Sequence, residues 1–119
     1  MAWRFTGDRP VYIQLADRIT KSVLSGVYSP GAQLPTVRQL AMEAAVNPNT
    51  VQHAFTHLEH EGLIVSRGTL GRFVTEDRQV IQAIRKEVAL QLAKAFAEEM
   101  NQLSMNPEEI IALIQEVSL

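Results

Sequence analysis

Asn49, His53, Thr56 and His60 line one face of a short segment with helical spacing, flanked by Thr50 and Gln52, while Val51, Ala54, Phe55 and Leu58 line the other. Asn and Gln can pair with an adenine edge through two hydrogen bonds, and Thr can meet a phosphate or a thymine methyl. Arg38 adds a planar fork that fits guanine and that lysine lacks. Thr36 stands where a helix should start, and the free backbone N–H groups there suit a phosphate. Arg67 and Arg72 enclose Gly68, Thr69 and Gly71, placing charge beside glycines that let backbone approach a phosphate or a minor groove. These residue types offer nucleic-acid recognition. A solvated helix face would use the same polar residues, so the surrounding spacing has to decide.

Other chemistry is poorly served. His53 and His57 are four apart and could share a metal, but no Glu lies between them in a zinc-protease pattern and no acidic ligand is fixed nearby. With no cysteine, a disulfide framework or thiolate metal site is impossible. Neither a Gly-rich phosphate loop nor a nucleophile–base pattern is present. We therefore expect no enzyme, no metal and no cofactor.

The elements that must position the polar face follow from their end signals. Tyr12, Leu15, Ala16, Ile19 and Val23 recur at helical spacing over residues 10–25, and Gly26 supplies a stop. Ser29-Pro30-Gly31 is a turn. Thr36 and Gln39 form a capping box for a second helix over about 37–44. Asn47 caps a third, with Pro48 at its first position, where a missing N–H costs nothing. That helix should run to Glu61, closed by Gly62. Residues 63–66 and 72–75 are short β-type runs around two glycines and predict a hairpin. A helix that ends near Ala45 and restarts at Pro48 has the spacing of a helix-turn-helix, whose second helix enters a major groove.

Five further runs carry a resemblance. Pro10-Val11-Tyr12-Ile13-Gln14-Leu15, Ser25-Gly26-Val27-Tyr28-Ser29-Pro30-Gly31, Leu34-Pro35-Thr36-Val37-Arg38, Asn47-Pro48-Asn49-Thr50-Val51 and Glu61-Gly62-Leu63-Ile64 stand in register over the first two thirds of the chain. Together they resemble the winged helix-turn-helix domain of GntR-type bacterial transcription regulators. The Asn-Pro-Asn-Thr-Val run with a short helical tail is similar to the YtrA-like branch. The resemblance implies a cytoplasmic bacterial regulator of double-stranded DNA, most often a repressor. It also implies that Arg38 reaches a base, commonly guanine. The implied DNA-contacting set is Thr36, Arg38, Asn47, Asn49, Thr50, Gln52, His53, Arg67, Gly68, Thr69, Gly71 and Arg72. Many relatives carry arginines on both sides of the Thr-Val pair. Here those positions are Pro48 and Gln52, so their base preference does not transfer.

From Asp77 the composition changes. Val80, Ile84, Val88, Leu92, Ala95, Phe96, Met100 and Leu103 predict one long helix of roughly 40 Å. Asn106 and Pro107 start another, with Ile110, Leu113, Ile114 and Val117 on one side. Two helices cannot close a core around stripes this wide. Packing back on the winged domain is one solution. Pairing with a second subunit is favoured, because a palindromic site demands a two-fold dimer. The expected dimerisation residues are Val80, Ile84, Val88, Leu92, Phe96, Met100, Ile110, Leu113, Ile114 and Val117.

The net charge of −2 divides unevenly: residues 1–75 hold seven Lys/Arg against five Asp/Glu, and residues 76–119 hold four against eight. The basic excess lies with the part assigned to DNA, and the tail should project away from phosphates. No run of 18 apolar residues and no signal pattern occur, so no membrane association is expected. The expected fold is mainly α with a small β-hairpin: a winged helix-turn-helix over 1–76 and a two-helix dimerisation tail over 77–119. Two alternatives stay open. One is a small-molecule effector seated between the tail helices or at the junction near Phe73 and Phe96. The other is a winged helix that binds protein instead of DNA.

Overall fold

The computed structural model describes residues 3–117. The order of elements is α1 (Val11–Leu24), α2 (Val37–Ala44), α3 (Pro48–His60), β1 (Ile64–Ser66), a 3-10 turn (Gly68–Leu70), β2 (Arg72–Val74), α4 (Arg78–Gln102) and α5 (Pro107–Glu116). The chain divides into two compact units, residues 1–83 and 84–119.

In the first unit α1 and α2 both pack on α3. Leu15, Ile19, Leu40, Val51, Phe55 and Leu58 are at most 2% exposed and form the core with Leu63, Ile64 and Val74 from the hairpin. Burying each such side chain is worth about 1.5–3 kcal/mol, which anchors the polar face of α3 from behind. The capping box of α2 is complete: Thr36 Oγ1 accepts from the Gln39 N–H at 3.1 Å, and Gln39 Oε1 accepts from the Thr36 N–H at 2.9 Å. Asn47 Oδ1 accepts from the Asn49 N–H at 2.8 Å and opens α3.

Between these helices the chain turns through Ala45, which holds φ 58°, ψ 49°. A β-carbon in that left-handed region crowds the following carbonyl. Exchanging Ala45 for Gly should therefore stabilise the protein by about 1 kcal/mol, read as a higher urea midpoint at unchanged slope. A lower midpoint would show that the Ala45 methyl group contributes packing that outweighs its backbone strain.

The wing is antiparallel, with Ile64 opposite Val74 and Ser66 opposite Arg72. Residues 31–34 add a third edge: the Leu34 N–H donates to the Arg72 carbonyl and the Val74 N–H to the Ala32 carbonyl, both at 2.8 Å.

The second unit joins the greater part of α4 to α5 through a turn in which Ser104 holds φ 61°. A second capping box starts α5, with Asn106 Oδ1 on the Glu109 N–H and Glu109 Oε1 on the Asn106 N–H.

The division of the two compact units lies inside α4, between residues 83 and 84. Ile81 is 6% exposed and belongs to the core of the first unit. Val80 sits beside Gly62, its γ1 carbon 3.7 Å from where a β-carbon on that glycine would stand. Val80 is half-buried. Met100 is 8% exposed within the single chain. A helical stripe shows that residues are covered, not by what. Ile84, Val88 and Ile110 are half-buried. Leu92, Phe96, Leu113, Ile114 and Val117 are exposed.

Candidate nucleic-acid interface

Three structural pieces carry the residues expected at DNA: the start of α2, the solvent side of α3 and the wing. Thr36, Arg38, Asn47, Asn49, Gln52 and His53 are exposed, and Thr50 is half-buried. Arg38 lies in the first turn of α2 and has no hydrogen-bond or ion-pair partner among the described residues. Neither of the two carboxylates that could have occupied it, Glu43 and Glu59, pairs with it. Glu43 lies near Tyr28, whose phenol is pushed up first by burial and then by that carboxylate. Glu59 is bound by Arg72. Arg38 is left with its whole fork available to a base edge or a phosphate.

Asn49 and Gln52 present amides along the solvent side of α3. Thr56 presents a hydroxyl there less freely, because it donates to the Gln52 carbonyl at 3.0 Å. His53 does not stand alone in the reading face. Its ring stacks on Tyr12 of α1 with centroids 3.5 Å apart and planes 9° from parallel, and His57 meets the same ring edge-on at 6.2 Å. His57 Nε2 also lies 3.5 Å from Glu61 Oε1. The i, i+4 histidine pair is therefore an aromatic seat for α1 against α3, with His53 exposed at its rim.

The wing is shaped from within. The Arg67 N–H donates to the Gly71 carbonyl at 2.9 Å, and Gln33 Nε2 donates to the Leu70 carbonyl at 2.6 Å. Gly68 has φ +55° with open space where a β-carbon would stand, so it remains free for close approach. Gly71, at φ +110°, would put a β-carbon 3.0 Å from Gln33 Nε2. Its glycine is required inside the chain, and the expected role in approaching DNA is not needed to explain it. Thr69 and Arg67 are exposed at the tip, with the Arg67 guanidinium 4.9 Å from the Phe73 ring centre.

Arg72 departs furthest from expectation. Its Nε donates to Glu59 Oε1 at 2.9 Å, its guanidinium lies 5.0 Å from the Phe55 ring centre, and its side chain is 20% exposed. Within the chain its charge is therefore held by Glu59. Sequence reading also passed over Tyr12 and Gln14 as working residues, although both lie in a run quoted for the resemblance. Gln14 is 8% exposed. Its amide binds the Thr6 N–H and the carbonyls of Thr6 and Arg9 at 2.7–2.9 Å, fastening the segment before α1. A near-invisible signal was available: a glutamine one position before the buried Leu15 needs partners for its amide.

Comparison with known proteins places these features in a family. Residues 11–74 match the model described as bacterial regulatory proteins, gntR family. The HTH-type transcriptional repressor YtrA of Bacillus subtilis is 38% identical over 68 residues, covering 57% of this chain and 52% of YtrA. A GntR family transcriptional regulator from Listeria monocytogenes superposes with TM-score 0.88 at 35% identity, over 96% of this chain and all of that one. The AraR DNA-binding domain in complex with operator ORX1 superposes with TM-score 0.57 at 27% identity, over 60% of this chain and 93% of that one.

Proposed function

Because the chain belongs to the GntR family of bacterial regulatory proteins, non-enzymatic regulators that bind DNA, we propose that it is a repressor that reads an inverted-repeat operator as a homodimer. The observation that carries this reading is the unpartnered Arg38 beside the exposed amide-bearing side of α3, both held on a sealed core. α3 would lie in the major groove with Asn49, Thr50 and Gln52 toward base edges. Asn47, Thr36 and the helix starts they cap would meet phosphates. The wing tip, through Arg67, Gly68 and Thr69, would follow the neighbouring backbone.

Homodimerisation is supported by the second unit, whose Leu92, Phe96, Leu113, Ile114 and Val117 are 39–60% exposed in the single chain. A second copy offers the same apolar residues, and two-fold pairing also matches an inverted repeat. The sign of regulation follows the repressor name borne by YtrA: occupancy of a promoter would exclude polymerase.

Selection of bound duplexes from a random pool tests the reading, followed by titration of salt. Affinity should fall linearly in log–log form as salt rises, and the recovered sequences should share two inverted halves. Duplex binding that is absent, or indifferent to salt, would remove the proposal in favour of a protein-binding winged helix. On the recovered site, Arg38→Ala should cost about 1–3 kcal/mol and relax choice at one base pair per half-site. Competition against single-base variants measures it. Equal loss on selected and random DNA would make Arg38 a phosphate contact instead.

A further inference from the structure

Gln33 reaches the wing tip from outside the hairpin. Its backbone lies opposite Phe73. The pairing on either side of it, from the Leu34 N–H to the Arg72 carbonyl and from the Val74 N–H to the Ala32 carbonyl, is 2.8 Å in both cases. Leu34 is 4% exposed and turns into the core, so the alternation of an extended segment sends Gln33 outward. There its Nε2 donates to the Leu70 carbonyl at 2.6 Å. The reach passes over Gly71, where a β-carbon would stand 3.0 Å from Nε2. Gly71 also holds φ 110°, ψ −157°, a conformation that essentially only glycine adopts. The bare peptide at 71 is what admits the Gln33 amide.

The carbonyl that Gln33 binds ends the 3-10 turn at the tip. The Leu70 N–H donates to the Arg67 carbonyl at 3.0 Å, and the Arg67 N–H to the Gly71 carbonyl at 2.9 Å. Arg67, Leu70 and Gly71 thus make one closed set of bonds, and Gln33 fastens that set to residues 31–34. Thr36 and Arg38 follow three and five residues after Gln33. The tip is therefore tied to the segment that leads into α2.

An exposed three-residue turn has few contacts to order it. A tip that is ordered only part of the time lowers the affinity for DNA by the fraction of the free protein that is in the binding form. We infer that Gln33 is a positioning residue that holds the wing tip, through the Leu70 carbonyl, in the form in which Arg67 and Thr69 meet DNA. The inference rests on the proposal that the wing tip follows the DNA backbone. It gives Gln33 a part in affinity without contact between its own side chain and DNA.

The test uses the full chain and a duplex selected from a random pool by the wild-type protein. The variant is Gln33→Met, which keeps the length of the side chain but has no N–H to give. Gln33 is exposed, so the urea midpoint should stay close to that of the wild type. Affinity should fall by about threefold to tenfold per half-site, the range of one hydrogen bond. In a protein that already carries Arg67→Ala and Thr69→Ala, the same exchange should cost less than about twofold more. Beside Arg38→Ala it should cost the full amount. In the free protein the amide hydrogens of Arg67 and Leu70 should exchange with deuterium faster, while those of α2 keep their rates.

Wild-type affinity in Gln33→Met would overturn the inference. So would an equal loss with and without Arg67→Ala and Thr69→Ala, which would make Gln33 itself a DNA ligand. Unchanged exchange at Arg67 and Leu70 would overturn it as well. Failure of the wild-type protein to retain any duplex is a different result, and overturns the DNA reading together with this inference.

Discussion

Replacing Phe96 with glutamate should convert the proposed homodimer to a monomer at micromolar concentration and abolish tight binding to its operator. Phe96 is 39% exposed and Leu92 60% in the single chain. Covering such side chains is worth about 1.5–3 kcal/mol each. In a two-fold interface every substitution occurs twice. The variant loses that burial on both sides and must also bring two carboxylates into an apolar contact, each at a cost of several kcal/mol unless it stays in water. The sum exceeds about 5 kcal/mol, or more than a thousandfold in the dissociation constant. Light scattering across a dilution series reads the mass, and Leu92→Glu should behave alike. Phe96→Glu that stays dimeric at every concentration would place the interface elsewhere. The winged unit has its own core, so the monomer should keep weak, salt-sensitive affinity for DNA in general.

The second large effect concerns operator geometry. In the proposed dimer two copies related by a two-fold axis would present two α3 helices to one side of the duplex, with half-sites about one helical turn (~34 Å) or a multiple apart. Inserting about half a turn (~5 base pairs) between the halves carries one of them to the opposite side. Binding then rests on a single half-site, and the linked gain of about 10²–10⁴ in affinity is lost. A full-turn insertion restores the facing and should recover part of the affinity. Gel-shift titrations on the three spacings measure this. Equal affinity at half-turn and native spacing would mean that the subunits bind independently.

The helices and their starts were legible because their determinants are local. Thr36 with Gln39, Asn47 with Pro48 and Asn106 with Pro107 act within three residues, and each stands at the start of a helix as expected. The capping box between Asn106 and Glu109 is local in the same way. The left-handed turn at Ala45 gave no sign, since the usual glycine is absent and the conformation is imposed by packing α2 and α3 together. The candidate interface was less legible for a related reason. A helical projection places His53 away from the α3 core but cannot show that Tyr12 arrives from α1 to stack on it. Nor can it show that Glu59, an ordinary surface carboxylate by sequence, takes the charge of Arg72. The apolar stripe of α4 was visible, yet Met100 is covered within the chain and Val80 half-buried, while Leu92 is exposed. Periodicity reports which residues need cover, and the tertiary arrangement decides what supplies it.

The pairing of residues 31–34 with β2 also bears on the order in which the protein assembles. Gln33 and the Leu70 carbonyl that it binds are 37 residues apart, so a long intervening loop must close before this edge can form. The helices depend on near neighbours and can form early; the edge between Leu34 and Arg72 must wait until α2, α3 and the hairpin are in place. Once made, it ties the front of the unit to its back. The amide hydrogens of Leu34 and Val74 should exchange with deuterium only when the whole unit opens, whereas those of α5, with no buried side chain of its own, should exchange through local fraying. A backbone amide near the wing would then be the slowest reporter of global unfolding, although the wing itself is only three residues deep on each strand.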